Sequence, residues 1–261
     1  MDAPIAVHNL AKTFYDEGRG EVQAVDGVSF ECRAGEIFGM LGANGAGKTT
    51  TLRILATILK PSAGSASVMG HDVLAEPEAV RASLGFSSST TALYPRLPAR
   101  ETLDFFARIN GCSPAQTRER VARVIQRFGI QEYADARVDK LSQGMKQKVA
   151  IARTVVHDPP VLIFDEPTVG LDVLNALEMQ QMIREFRAEG KAIIFSTHIM
   201  SEAEKLCDRI AIIHRGKIHA CDTLAGLRAA TGQHYLEDIF VHVVRDGAAE
   251  TAFRAKDTAN P

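Results

Sequence analysis

The chain is poor in the residues that build metal sites and disulfide frameworks. It has four cysteines and no Cys-x-x-Cys pair, so the ligand spacing of a structural metal site is missing. No segment resembling a signal peptide precedes the first strand-like run at residue 5. We therefore expect four reduced thiols in a cytosolic protein.

Long apolar runs and an excess of basic residues are missing as well. The longest hydrophobic stretches, such as residues 161–164 and 192–195, have the length of strands, whereas a membrane-spanning helix needs about 20 apolar residues. The formal net charge is −2, without the basic excess of a protein that binds nucleic-acid phosphates. We expect neither a membrane span nor nucleic acid as a partner.

What is present is the composition of a globular α/β protein. Hydrophobic residues make up 46% of the 261 residues and charged residues 24%. The last four of the predicted strands are almost continuously apolar, which is typical of parallel strands buried on both faces. The predicted strands, marked by β-branched or aromatic residues, cover residues 5–7, 22–32, 36–41, 161–165, 192–197 and 209–213.

A helical pattern interrupts this series of strands. Leu103 and Phe106 share one face of a predicted helix. Ser113 and Pro114 form a helix start, a capping serine followed by proline at the first helical position. The pattern predicts a helical block of about 70 residues inserted into an α/β core. Near the other end of the chain, residues 236–244 could form a last helix or a strand.

A complete phosphate-binding motif follows one of the predicted strands. Residues 42–49 are GANGAGKT, which matches G-x-x-x-x-G-K-[ST] in the strand–loop–helix context that the motif requires. Glycines let the backbone wrap around phosphates, and the helix N-terminus supplies an anion site. Lys48 would reach the β- and γ-phosphates, and Thr49 would ligate Mg²⁺. The predicted nucleotide-binding residues of this loop are Gly42, Asn44, Gly45, Ala46, Gly47, Lys48, Thr49 and Thr50.

Two carboxylates end the apolar strand VLIFDEP. Asp165 can hold Mg²⁺, and Glu166, which faces the other way, can polarise the attacking water as a general base. A further apolar run, AIIFSTH, ends in His198, which can donate to the γ-phosphate and hold that water against Glu166. The predicted catalytic residues are thus Lys48, Glu166 and His198, and the predicted metal ligands are Thr49 and Asp165.

The run LSQGM at residues 141–145 opens a second helical pattern. Ser142 is a natural N-cap, and Gly144 keeps the first turn bare. An exposed helix N-terminus of this kind favours an anion. By itself the run indicates only a capped helix.

Taken together, the motifs resemble those of one family. The order of the phosphate loop, LSQGM, VLIFDEP, GLD at residues 170–172 and STH at 196–198 is similar to that of ATP-binding cassette (ABC) transporter ATPases, over about residues 4–230. The resemblance implies an α/β fold with a P-loop NTPase core. That core has a central, mostly parallel sheet, an N-terminal antiparallel β subdomain and an inserted α-helical subdomain.

The same resemblance implies how the chain is divided. An ABC ATP-binding domain would occupy residues 1–232, with its core at 1–86 and 159–232 and the helical subdomain at 87–158. A C-terminal extension would follow at residues 233–261, and we expect its end to be disordered because residues 246–261 are small and polar.

The family also implies partners and further site residues. In ABC ATPases two subunits enclose two ATP molecules, and the signature motif of one subunit faces the P-loop of the other. Ser142 and Gly144 would therefore contact ATP held by a second copy of this chain. Phe14 falls where an aromatic residue stacks on adenine. Implied as well are Mg²⁺, a separately encoded integral-membrane permease and a position at the inner face of the cell membrane.

Four longer stretches resemble one branch of the family. They are similar to ATPases of ABC-2 type exporters, especially those of sodium export (the Nat type). This resemblance implies ATP hydrolysis coupled to export, with sodium as the candidate cargo. The stretches are AVDGVSF, GKTTTLRILATILKP, DPPVLIFDEPTVGLDV and FSTHIMSEAEKLCDRIAIIHRGK.

Two positions depart from the family pattern. Met145 stands where the signature motif usually ends in glutamine, and Ser89 stands where a glutamine is expected between the phosphate site and the groove for the membrane subunit. Serine lacks the reach and the amide to touch Mg²⁺ and a water together. We therefore expect no direct Mg²⁺ ligand from residue 89.

Two other functions stay open. One is a non-transport ABC protein that acts on nucleic acid or ribosomes, but the chain carries one cassette and no long coiled coil separates Lys48 from Asp139. The other is a regulatory cassette that binds ATP without hydrolysing it, as Ser89 suggests. The presence of Lys48, Asp165, Glu166 and His198 argues against that reading.

Overall fold

The computed structural model describes residues 3–18, 20–88 and 93–245, which form two β-sheets with helices around them. The strands in chain order are β1 (Ile5–Asp16), β2 (Gly20–Cys32), β3 (Ile37–Leu41), β4 (Ala63–Val68), β5 (His71–Asp72), β6 (Leu84–Ser88), β7 (Val161–Asp165), β8 (Ala192–Thr197), β9 (Arg209–His214) and β10 (Lys217–Asp222). One sheet is antiparallel and has the strand order β2-β1-β4-β5.

The second sheet has six strands in the order β10-β9-β3-β8-β7-β6. Its pairs are parallel except for β10 with β9. All residues of β3 and β7 are buried, as expected for strands covered on both faces. Parallel pairing brings the carboxyl ends of β3, β7 and β8 to one edge, where Asp165 lies beside Ser196 and Leu41 beside Thr197. This edge carries the predicted phosphate loop and both carboxylates.

Two of the helices begin where capping serines predict a start. Ser113 caps α4 (Pro114–Arg127) in a capping box with Gln116, and Pro114 takes the first helical position. Ser142 caps α5 (Gln143–Val155), since its Oγ accepts from the N–H of Met145 at 3.3 Å. The helices are α1 (Lys48–Leu55), α2 (Pro77–Ser83), α3 (Ala99–Ile109), α4 (Pro114–Arg127), α5 (Gln143–Val155), α6 (Val173–Ala188), α7 (Met200–Leu206) and α8 (Leu224–Thr231), with a further helix at residues 236–245.

The hydrophobic core consists of three clusters. One combines side chains of both sheets and of α1, and in it Phe30 and Phe38 stack with their ring centroids 4.8 Å apart. A second joins the parallel sheet to α3, α4, α5 and α6. The third joins β9 to α7, α8 and the helix at residues 236–245, where Leu236 and Ile239 are fully buried. Residues 236–244, for which the sequence allowed a helix or a strand, therefore form a helix.

The α/β class, with one mostly parallel and one antiparallel sheet, is confirmed. β6 pairs with β7 through Ser88, which lies beside Asp165. The sequence analysis places the start of the helical subdomain at residue 87. In the structure β6 continues through Ser88, because Ser87 and Ser88 extend the parallel pairing with β7. The predicted division into core, helical subdomain and extension stays a prediction.

Two predictions fall outside the described residues. These are the missing Mg²⁺ ligand at Ser89 and the disordered end at residues 246–261. Within the described ranges, no helix combines the length and the hydrophobicity that a membrane span requires. The four cysteines are free, as the sequence predicts.

Candidate nucleotide site

The phosphate loop connects β3 to α1 in a conformation that requires glycine. Gly45 and Gly47 have φ of 79° and 107°, in the left-handed region, and Gly47 is the N-cap of α1. A Cβ at Gly47 would lie 2.5 Å from the Ala24 carbonyl oxygen, and one at Gly42 would lie 2.4 Å from the Ile213 carbonyl oxygen. The loop therefore packs closely against β2 and β9 and leads into α1. The free N–H groups at the start of α1 form an anion site.

Lys48 holds a positive charge inside this loop. Its side chain is buried, and Nζ donates to the carbonyl oxygens of Gly42 at 2.7 Å and Ala43 at 3.2 Å. The same Nζ lies 3.1 Å from Glu166 Oε1. The ammonium thus links the phosphate loop to the predicted general base, a contact that the sequence pattern does not reveal.

Asp165 and Thr49 bring together oxygen atoms of the kind that bind Mg²⁺. Thr49 Oγ1 donates to Asp165 Oδ1 at 3.2 Å, and Ser196 Oγ donates to the same oxygen at 2.7 Å. The Asp165 side chain is buried. A carboxylate beside a hydroxyl is the kind of ligand pair that Mg²⁺ uses together with substrate phosphates, so these residues fit the predicted metal. Ser196 was missed by the sequence analysis, although it lies in the run AIIFSTH.

Glu166 sits on a constrained backbone at the end of β7. Its φ of 50° is left-handed, and its N–H lies near the Ser196 carbonyl oxygen at 3.2 Å and Ser196 Oγ at 3.1 Å. Non-glycine residues in this region are concentrated at functional sites, where surrounding contacts hold the strained backbone. From this backbone position the Glu166 side chain contacts Lys48 and His198.

His198 and Lys48 contact the same carboxylate oxygen of Glu166. His198 Nδ1 lies 3.2 Å from Glu166 Oε1, so the tautomer that carries a proton on Nδ1 donates to it. Burial by itself raises the pKa of Glu166, but the hydrogen bonds from His198 and Lys48 and their charges outweigh it and leave the pKa below its usual range. Glu166 is therefore ionised at neutral pH and can act as a base.

These groups surround a cleft with a volume of about 460 Å³. The cleft brings together the predicted residues Asn44 to Thr50 with Asp165 and Glu166. Its lining also includes Ala24, Arg53 and Ser88, which the sequence analysis did not select. Gly42 and His198 take part through their bonds to Lys48 and Glu166.

The remaining predicted residues lie elsewhere. Phe14 is on β1 opposite Val22, is 39% exposed, and has Lys12 Nζ at 5.1 Å from its ring centroid; it does not line the cleft. Ser142 is exposed at the start of α5, and a Cβ at Gly144 would lie 3.0 Å from Asn175 Oδ1. The described cleft is therefore built without the signature residues of the same chain.

A comparison of the chain with models of known protein families supports the same interpretation of the site. A family model described as ABC transporter matches residues 25–169. The chain belongs to this family. It is an ATP-binding ABC ATPase, since ATP hydrolysis is the known activity of these cassettes.

Individual relatives support the exporter type of ABC ATPase subunit. The ABC transporter ATP-binding protein NatA of Bacillus subtilis (strain 168) is 39% identical over 238 residues, 91% of this chain and 96% of that protein. Nod factor export ATP-binding protein I of Paraburkholderia xenovorans (strain LB400) is 43% identical over 198 residues, 76% of this chain and 65% of that protein. A solved structure of an ATP binding subunit of an ABC transporter has a TM-score of 0.83 and 30% identity, covering 93% of this chain and 100% of that one.

Proposed function

We propose that this ABC ATPase hydrolyses MgATP in sites shared by two copies of the chain and thereby drives export through a separate membrane permease. The observation that carries the proposal is the convergence of Lys48, Asp165, Glu166 and His198 on the phosphate loop. A cassette that only bound ATP would need the phosphate loop, but it would not need an ionised Glu166 held by a histidine. The chain would act in the cytoplasm, at the inner face of the cell membrane.

The residues of the cleft have separate roles in this mechanism. Glu166 takes a proton from the attacking water, because its carboxylate is ionised and has one oxygen in contact with His198. His198 orients the carboxylate and the water. Lys48 and the N–H groups at the start of α1 hold the phosphates. Thr49 and Asp165 would hold Mg²⁺, which neutralises charge on the phosphate oxygens when it is bound.

The exposed start of α5 supports a site completed by a second copy. Ser142 caps this helix and is exposed, and it does not line the cleft of its own chain. A γ-phosphate held by one copy would meet the free N–H groups at the start of α5 in the other. In this proposal neither copy hydrolyses ATP alone.

Ser142→Arg is expected to abolish ATP-dependent dimerisation while leaving ATP binding by a single copy nearly unchanged. The arginine would occupy the space in which the partner's phosphate meets α5, outside the cleft of its own chain. Ser113→Arg is a matched control, because Ser113 also caps a helix through its side chain. Sedimentation with and without ATP measures both variants. Dimerisation of Ser142→Arg equal to that of Ser113→Arg would refute the shared site.

We also propose that Phe14 stacks on adenine. A half-exposed ring on β1 offers a π-face without base-edge hydrogen bonds, so discrimination between ATP and GTP should be weak. Phe14→Ala is expected to weaken the binding of both nucleotides by about 1–3 kcal/mol, as measured by titration calorimetry. Tyr15→Ala, at an exposed neighbouring position, should change neither. Weaker binding of ATP alone would show that another residue recognises the base.

Sodium is the cargo that we propose to test first, because NatA aligns with this chain over 96% of its length. Sodium efflux can be compared in host cells that carry either the wild-type chain or the Glu166→Gln variant. Equal efflux in the two strains would remove sodium as the cargo and leave the ATPase assignment unaffected.

A further inference from the structure

The hydroxyl of Ser196, on β8, contacts both acidic residues at the end of β7. Its Oγ donates to Asp165 Oδ1 at 2.7 Å and accepts from the N–H of Glu166 at 3.1 Å. A serine hydroxyl has one proton to donate, and here that proton goes to the predicted metal ligand. Ser196 is fully buried, so neither contact competes with solvent.

The pairing of β8 with β7 directs this hydroxyl towards α1. Asp165 and Ser196 are partners in the parallel pair, and side chains two residues apart on a strand share a face. Ile163 and Ile194, two residues earlier on each strand, pack in the core cluster that includes side chains of α1. Asp165 and Ser196 therefore lie on the α1 side of the sheet, where Thr49 also reaches Asp165.

The two hydroxyl donors act on the same oxygen of Asp165. Thr49 Oγ1 donates to Oδ1 at 3.2 Å and Ser196 Oγ donates to it at 2.7 Å. In the described part of the chain, the hydrogen bonds to this carboxylate all end on Oδ1, which leaves Oδ2 available to a metal ion. Thr49 is itself a predicted Mg²⁺ ligand. Ser196 is therefore the donor that can orient the carboxylate without binding the metal.

We propose that Ser196 is a positioning residue that sets the affinity of the site for Mg²⁺ by holding the Asp165 carboxylate in one orientation. The inference rests on the proposed function, which places Mg²⁺ at Thr49 and Asp165. Removing the hydrogen-bond partner of a metal-binding carboxylate typically costs about 10–100-fold in metal affinity or activity. Glu166 should be affected less, because its N–H also lies 3.2 Å from the Ser196 carbonyl oxygen, which any substitution keeps.

The test is Ser196→Ala in the full-length protein, with ADP and Mg²⁺ as the probes. ADP lacks the γ-phosphate that would meet a second copy, so dimerisation does not enter the measurement. ADP affinity is measured by titration calorimetry in EDTA and over a series of Mg²⁺ concentrations. The affinity in EDTA should equal that of the wild type, while the Mg²⁺ concentration that gives half of the metal-dependent change should rise by about 10–100-fold. ATP hydrolysis by the variant should recover as the Mg²⁺ concentration is raised.

Two further variants separate this role from a general loss of structure. Ser196→Cys keeps the size of the side chain but offers only a weak donor, so it should show the same weakening, and it carries the test if Ser196→Ala does not fold. Thr102→Val is the matched control, because Thr102 is also fully buried and its Oγ1 donates to the Pro98 carbonyl oxygen at 3.0 Å, outside the cleft. Its Mg²⁺ dependence should match that of the wild type. Urea unfolding of the nucleotide-free proteins shows which variants are folded.

Asp165→Asn is the benchmark for loss of the metal ligand itself. If Asp165→Asn retains the Mg²⁺ dependence of the wild type, the proposed metal site is wrong and this inference fails with it. If Asp165→Asn loses that dependence while Ser196→Ala keeps it, this inference alone is overturned. Equal weakening of ADP binding by Ser196→Ala in EDTA and in Mg²⁺ would show a purely structural role, and it would overturn the inference as well.

Discussion

Glu166→Gln is expected to lower the rate of ATP hydrolysis by about 10²–10⁴-fold, the usual effect of losing a general base. The contacts at this position should survive, because Lys48 and His198 both meet Oε1 and glutamine keeps an oxygen there. What is lost is the negative charge and the ability to take a proton. ATP binding should persist, and the variant should accumulate as an ATP-bound dimer.

Steady-state phosphate release and ATP titration measure the two halves of this prediction. Glu204→Gln is a suitable control, because Glu204 is a similarly buried glutamate that contacts Arg228 and the N–H of Leu236, away from the cleft. Its turnover should match that of the wild type. Turnover of Glu166→Gln within about threefold of the wild type, far below the expected loss, would rule out Glu166 as the base.

Acidification should destabilise the protein through His157. This side chain is 7% exposed and Nε2 lies 3.2 Å from the Leu84 carbonyl oxygen, so Nε2 carries the proton. Burial lowers the pKa of His157 from 6.5 to about 4 against the opposing effect of that hydrogen bond. Between these two pH values the unfolded chain binds a proton that the folded chain excludes. The free energy of unfolding should therefore fall by about 1.4 kcal/mol per pH unit as the pH drops through this window, about 3 kcal/mol in all.

His157→Gln isolates this contribution, because a glutamine amide can still donate to the Leu84 carbonyl oxygen but does not titrate. Urea unfolding of both proteins from about pH 7 to about pH 4 gives the two curves. The wild type should lose stability faster than the variant below pH 6.5, the ordinary value of the group. Parallel curves over this range would show that His157 is protonated equally in the folded and unfolded states.

The extent to which the sequence predicts the fold depends on how locally each signal is encoded. β3, β7, β8 and β9 are continuous apolar runs and were found with nearly their true bounds. β1 was predicted only at residues 5–7, because register shifts beyond Val7 and the left-handed Asn9 break the alternation of the strand. β4 is largely glycine, serine and alanine and has little strand propensity; it forms because it pairs with β1.

The candidate site was predictable wherever a residue and its role lie within one motif. Lys48, Thr49, Asp165 and Glu166 all belong to such runs, and the structure brings them into one cleft. The bond from Ser196 to Asp165 depends on the register between β7 and β8. That register is a tertiary property, so the contact of Ser196 with Asp165 cannot be inferred from the STH motif alone.

The central claim, that each site needs two copies of the chain, is tested most directly by mixing two inactive variants. Lys48→Ala lacks a working phosphate loop but keeps its signature turn, and Ser142→Arg has the reverse defect. Neither should hydrolyse ATP alone. In an equal mixture each mixed dimer combines the intact loop of one copy with the intact signature turn of the other, and hydrolysis should return. A mixture as inactive as its components, or full activity of Ser142→Arg alone, would contradict the shared site.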